Sequence, residues 1–110
     1  MPSEVTSGTK TVSVVGTAED LTTQTDAGVY QLSVDLTNLA SGETVTLNVY
    51  KKVLSSGSER LAYTSKFTYA DAQELPCRDS WAIPSVHSIR FEIDQPTGTP
   101  RAVDWSLVSL

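Results

Sequence analysis

Tyr30-Gln31-Leu32-Ser33-Val34-Asp35-Leu36 alternates apolar and polar side chains without a break. Successive side chains of an extended strand point to opposite faces, so Tyr30, Leu32, Val34 and Leu36 share one face while Gln31, Ser33 and Asp35 share the other. A helix would scatter the same residues around its axis. The apolar face is expected to look into a core.

The pattern continues outward in both directions. Val45, Leu47 and Val49 read as inward, with Thr44, Thr46 and Asn48 outward. Between these strands, Asn38-Leu39-Ala40-Ser41-Gly42 supplies turn chemistry and predicts a hairpin. Ser55-Ser56-Gly57-Ser58 is a second polar turn, leading to Leu61, Tyr63, Phe67 and Tyr69, an inward face that Ser65 interrupts. Ile89, Phe91 and Ile93 line another strand, stopped by Gln95-Pro96-Thr97-Gly98-Thr99-Pro100, since proline cannot donate to a ladder. Val103, Trp105 and Leu107 form the last, with Trp105 as a large core anchor. An early strand over 11–16 and a short one over 81–83 complete the set, and residues 70–75 allow one helical turn before Pro76. Residues 18–27, rich in Thr and acids, read as an exposed loop.

About six to eight short strands with turns at even spacing predict an all-β fold: an antiparallel two-sheet β-sandwich of the jelly-roll or Ig-like kind. The chain has 110 residues, the size of one domain. Residues 11–110 are expected to form it. Residues 1–10, polar and aperiodic, read as a flexible arm or an added edge strand that orders on a partner.

Chemistry is sparse. There is one histidine, His87, and one cysteine, Cys77, too few for a zinc sphere. A Ser-His-Asp hydrolase would have to use His87, which alternation places on the face of Ile89 and Phe91 as an ordinary strand histidine. Cys77 reads as a small, partly buried residue. Asp71, Glu74 and Asp79, and Glu19, Asp20 and Asp26, are acidic loop clusters without EF-hand spacing. Eight basic residues against thirteen acidic give a net charge of −5, which opposes nucleic-acid binding. No apolar run reaches the length of a membrane span, and no basic-then-apolar leader opens the chain. The expectation is a non-enzymatic binding or structural protein without a cofactor. Tyr50, in the outward register of its strand, is the best exposed aromatic contact, with Trp81 unassigned.

Gly28-Val29-Tyr30-Gln31, Val34-Asp35-Leu36-Thr37-Asn38-Leu39, Lys51-Lys52-Val53-Leu54-Ser55-Ser56-Gly57, Leu61-Ala62-Tyr63 and the closing Thr97-Gly98-Thr99-Pro100-Arg101-Ala102-Val103-Asp104-Trp105 resemble small proteins encoded among the structural genes of tailed bacteriophages. The resemblance covers residues 28–110. It implies a virion protein of the head decoration (cement) type, made in the host bacterial cytoplasm and residing on the capsid surface. Its partners would be the major capsid protein and neighbouring copies of itself. No family motif carries over residue by residue. Candidate contacts are therefore Ser3, Glu4 and Val5 in the arm, the loops at Asp20, Ser56 and Asp71, and Tyr50. A tail or head-to-tail connector component, and a carbohydrate-binding module with a glycan ligand, are the alternatives.

Overall fold

A computed structural model of the chain describes residues 3–110. The elements are β1 (Ser3–Lys10), β2 (Glu19–Gln24), β3 (Gly28–Asp35), β4 (Thr44–Lys52), β5 (Arg60–Thr68), α1 (Tyr69–Glu74), β6 (Cys77–Asp79), β7 (Ile83–Ser85), β8 (Ser88–Asp94) and β9 (Val103–Ser109). They make two antiparallel sheets. Sheet A has the order β1-β9-β3-β6, with β7 also paired to β3, and sheet B has the order β2-β8-β4-β5.

Alternation explains the core. Tyr30, Leu32 and Val34 of β3, Val45, Leu47 and Val49 of β4, and Ile89, Phe91 and Ile93 of β8 are all buried in one apolar cluster between the sheets. Each such side chain stabilises the fold by roughly 1.5–3 kcal/mol relative to exposure. Trp105 faces this layer but is only half-buried, because β9 lies next to the edge strand β1. Its cross-strand partner is Gly8, where an added Cβ would sit 3.4 Å from the indole.

Several expectations are corrected. Residues 3–10 are an edge strand, as one of the two readings had it, but one ordered on this chain's own sheet and not on a partner: they pair with β9 from Ser3 opposite Ser109 to Lys10 opposite Val103. The expected arm's first two residues lie outside the described ones. Strand β2 occupies the expected loop over 18–27, and residues 11–16 form no strand. Residues 38–42 make no hairpin, since β3 and β4 belong to different sheets and the segment crosses between them. The β4–β5 hairpin is present. In it, Val49 pairs with Tyr63 but Tyr50 pairs with Leu61, so Ala62 is an extra residue that turns Leu61 outward. Leu61 is 52% exposed.

The crossing from β3 to β4 is held by a buried carboxylate. Glu43 Oε1 accepts from the Ala40 amide and from Arg101 Nε, both at 2.8 Å, and Oε2 accepts from the Thr99 amide at 2.9 Å. Its backbone carbonyl accepts from the Tyr69 amide at 3.1 Å, at the start of α1. Gln95, also buried, donates to the carbonyls of Thr97 and Thr99 and accepts from the Arg101 amide. The loop between β8 and β9 is thereby folded around Glu43.

Gly98 lies at φ +84°, and a Cβ there would fall 2.3 Å from Glu43 Cγ. Gly42 has the same φ but nothing within 4 Å. Left-handed backbone costs an L-residue roughly 1–2 kcal/mol. Gly42→Ala should cost that strain alone, whereas Gly98→Ala should cost more, because it also drives Glu43 off its partners. Thermal unfolding of the two variants checks this; equal melting temperatures would show that the close approach to Glu43 carries no energy.

The Arg101 hydrogen bond, with the two backbone amides, holds the Glu43 carboxyl at about 2, against an ordinary 4.5. A carboxylate whose pKa is depressed by folding stabilises the fold fully above its unfolded pKa, and that contribution is lost as pH falls through the folded value. Stability should therefore decline from pH 4.5 to about 2. In Glu43→Gln the decline should be shallower, with Glu19, Asp35 and Asp71, also held low, supplying the remainder. Denaturant unfolding at stepped pH would show it, and identical slopes would remove Glu43 from this role.

Candidate interaction surfaces

Arg90 organises the outer face of sheet B. It stands opposite Tyr50 across β8 and β4, with its guanidinium carbon 4.4 Å from the centre of the phenol ring. Nη1 lies 2.6 Å from Asp20 and 2.9 Å from Glu92, and Nε lies 3.2 Å from Glu59. The hydrogen bond that Arg90 donates to Asp20, with those it donates to Glu92 and Glu59, raises its pKa despite partial burial. Asn48 donates to Glu92, and Thr64 donates to Asn48. One polar network thus crosses all four strands of the sheet. The structure brings the candidates Asp20 and Tyr50 together here, but both are engaged by Arg90.

The other candidates are dispersed. Asp71 caps α1: its carboxylate accepts from the Thr68 amide while its own amide donates to the Thr68 hydroxyl. Ser56 is exposed in the β4–β5 turn, which the Gly57 amide closes onto the Leu54 carbonyl. Glu4 accepts from the Ser106 hydroxyl, and Val5 sits in a bulge where pairing skips from Glu4 to Thr6. His87 is half-buried between β7 and β8. The acidic loop clusters do not converge: Glu19 pairs with Lys10, Asp20 with Arg90, and Asp79 accepts from Ser33. Among the described residues no group of three or more His, Cys, Asp or Glu side chains could hold a metal ion. Among the described residues no helix is long and apolar enough to cross a membrane.

The outer face of sheet A is a shallow trough of about 520 Å³ bounded by Ser, Thr and carboxylates, among them Glu4, Asp35 and Asp104. Asp35 and Asp104 are directly opposite each other, an unfavourable like-charge pair. Hydroxyls soften it, with Thr9 donating to Asp104 and Thr37 to Asp35. The Thr37 hydrogen bonds hold the Asp35 carboxyl below its ordinary value. Cys77, exposed rather than partly buried, borders this trough.

The flank formed by β5 and the β6–β7 connection differs in character. Trp81 is 73% exposed and stands 5.6 Å from Tyr63, ring centre to ring centre, with the planes tilted by 59°. Ser80 fixes the backbone beneath it. Its amide and hydroxyl bond the Leu32 carbonyl and amide, and the hydroxyl donates to the Trp81 carbonyl. Lys51 donates to the Pro84 carbonyl and Arg78 to those of Leu75 and Asp71, and neither these two nor Lys52, Arg60 and Lys66 makes an ion pair among the described residues, whereas Lys10, Arg90 and Arg101 are each paired to a carboxylate. At the hairpin tip beyond Lys52, Val53 and Leu54 are both exposed. Sequence reading left Trp81 unassigned because its strand is too short to set a register.

Comparison of the chain with known protein families, with curated proteins and with solved structures finds no match.

Arg90→Met should cost about 1–3 kcal/mol, the worth of hydrogen bonds to a charged group, because Asp20, Glu59 and Glu92 would then face one another uncompensated. Added salt should narrow the deficit by screening that repulsion. Thermal melts at low and high ionic strength test it; a deficit that salt does not change would mean that lost packing on Tyr50, rather than charge, is responsible.

Proposed function

We propose that the protein is a non-enzymatic structural protein of a phage virion, a head decoration protein that docks on the assembled capsid and staples major capsid subunits. The resemblance over residues 28–110 motivates the role, and the β4–β5 hairpin tip is the observation that carries it. Val53 and Leu54, 72% and 66% exposed, stand side by side beyond Lys51 and Lys52. Two adjacent exposed aliphatic side chains supply apolar area that a partner can cover. Binding the shell but not its free subunits stabilises the shell by mass action, without any reaction.

We read the sandwich as a jelly roll. Supporting this, eight strands folded as two Greek keys place the first strand beside the last, then the third and sixth, in one sheet. With the short β7, which pairs with β3 off this path, set aside, eight strands remain in the order β1-β9-β3-β6, facing β2-β8-β4-β5. Jelly rolls serve in viral shells and in lectins, so the fold alone is an analogy and does not choose between them. A second reading, a carbohydrate-binding module, is favoured by the exposed indole of Trp81. The 59° tilt to Tyr63 leaves that ring as a single stacking face and not part of a flat platform.

Co-sedimentation with assembled, undecorated capsids should show saturation at a fixed ratio to the major capsid protein, with no binding to free subunits. Val53→Asp with Leu54→Asp should weaken it at least tenfold while leaving the melting temperature unchanged, since neither side chain is in the core. Saturable binding to tails instead would move the protein to the tail or connector. Binding only on a glycan array, abolished by Trp81→Ala, would establish the carbohydrate reading.

A further inference from the structure

We infer that the free edge of β5 is a docking site for an extended, carboxylate-bearing segment of a partner protein, which adds to sheet B as a fifth strand with Trp81 as its side wall. The inference does not depend on the virion reading and holds for a partner of any origin.

Strand β5 runs for nine residues and pairs only with β4 among the described residues. Its outer edge therefore offers alternate backbone amides and carbonyls to a further strand. Beside that edge lies an open groove of about 290 Å³ lined by Leu61, Ala62, Tyr63, Thr64 and Trp81. Strand addition draws affinity from main-chain hydrogen bonds and specificity from side-chain contacts at alternate positions. The groove supplies both. Trp81 is also held in place before any partner arrives, because Ser80 and Gln31 tie its backbone to β3. A preorganised aromatic costs little entropy when it is covered.

Charge selects the occupant. Arg60 opens the strand and Lys66 lies near its other end, with no acidic residue in β5 between them. Lys51 stands directly across from Arg60; its ammonium donates to the Pro84 carbonyl, and neither cation has an ion pair among the described residues. The extra residue at Ala62 places Arg60 on the face of Tyr63 and Lys66 on the opposite face with Thr64, so each face of the strand carries one cation near an end. Cations on both faces of the strand thus favour an acidic partner over a neutral or basic one.

The test uses the full chain and short synthetic peptides in which glutamate, lysine or glutamine alternates with threonine and valine. The glutamate peptide should bind saturably and slow amide exchange in β5 but not in β1, the other long edge strand. Trp81→Ala and, separately, Arg60→Glu with Lys66→Glu should each weaken it at least tenfold, and the charge-reversed variant should instead take the lysine peptide. All these side chains lie outside the core, so the melting temperature reports whether the variants remain folded. Absence of saturable binding at millimolar peptide would overturn the proposal, as would binding without β5 protection. Equal binding of the glutamine peptide would remove charge as the selector. Tighter binding of a heparin fragment or a single-stranded oligonucleotide at the same groove would replace the acidic strand with an anionic polymer.

Discussion

The Glu43 carboxylate is the constraint on which the connectivity of this sandwich depends. A chain that passes repeatedly from one sheet to the other must turn over the ends of the core, where backbone groups leave water without finding a ladder. Here one side chain bonds the amides of Ala40 and Thr99 and the guanidinium of Arg101, and the same residue's carbonyl receives the amide that begins α1. Three connections distant in sequence are thereby satisfied at a single point. Burying a charge is costly unless it is paired and fully hydrogen-bonded, and both conditions are met.

The strands that alternation could reveal are those with one wet face and one buried face. β3, β4, β8 and β9 are of this kind, and their inward residues follow from period two alone. β2 was hidden because its Thr, Asp and Gln side chains lie on an edge strand that contributes little to the core beyond Leu21. The crossing over 38–42 has the composition of a hairpin turn, and nothing local distinguishes a turn within a sheet from one between sheets. Leu61 fails for a different reason: the extra residue at Ala62 reverses the phase of the pattern, and a bulge is a property of the pair of strands rather than of either one.

Candidate contacts were less legible than the fold. Exposure can be read from register, but engagement cannot. Tyr50 is outward as its register requires, yet Arg90 lies over it, and Arg90 is placed there by the pairing of β8 with β4. Asp20 and Asp71 carry the right charge for surface contacts but are committed to an ion pair and a helix cap. What long-range pairing adds is the subtraction of residues already in use. After that subtraction, Arg60 and Lys66 of β5 remain without a carboxylate partner among the described residues, and four carboxylates held by hydroxyl donors, Glu4, Asp35, Asp79 and Asp104, lie on the outer face of sheet A.

This segregation changes what a net charge of −5 means. Net charge governs long-range approach, whereas docking is governed by the field within about a Debye length, roughly 8–10 Å at physiological salt. The molecule extends 41 × 30 × 19 Å, so along its longer dimensions opposite flanks are screened from one another. An overall acidic protein can therefore repel polyanions at a distance and still present a basic, aromatic edge to a short acidic segment that reaches β5. The composition argues against nucleic acid as a partner for the whole surface. At the Trp81 edge, the free backbone groups of β5 are what favour a polypeptide over a polyanion of any other kind, since only a polypeptide can continue the ladder.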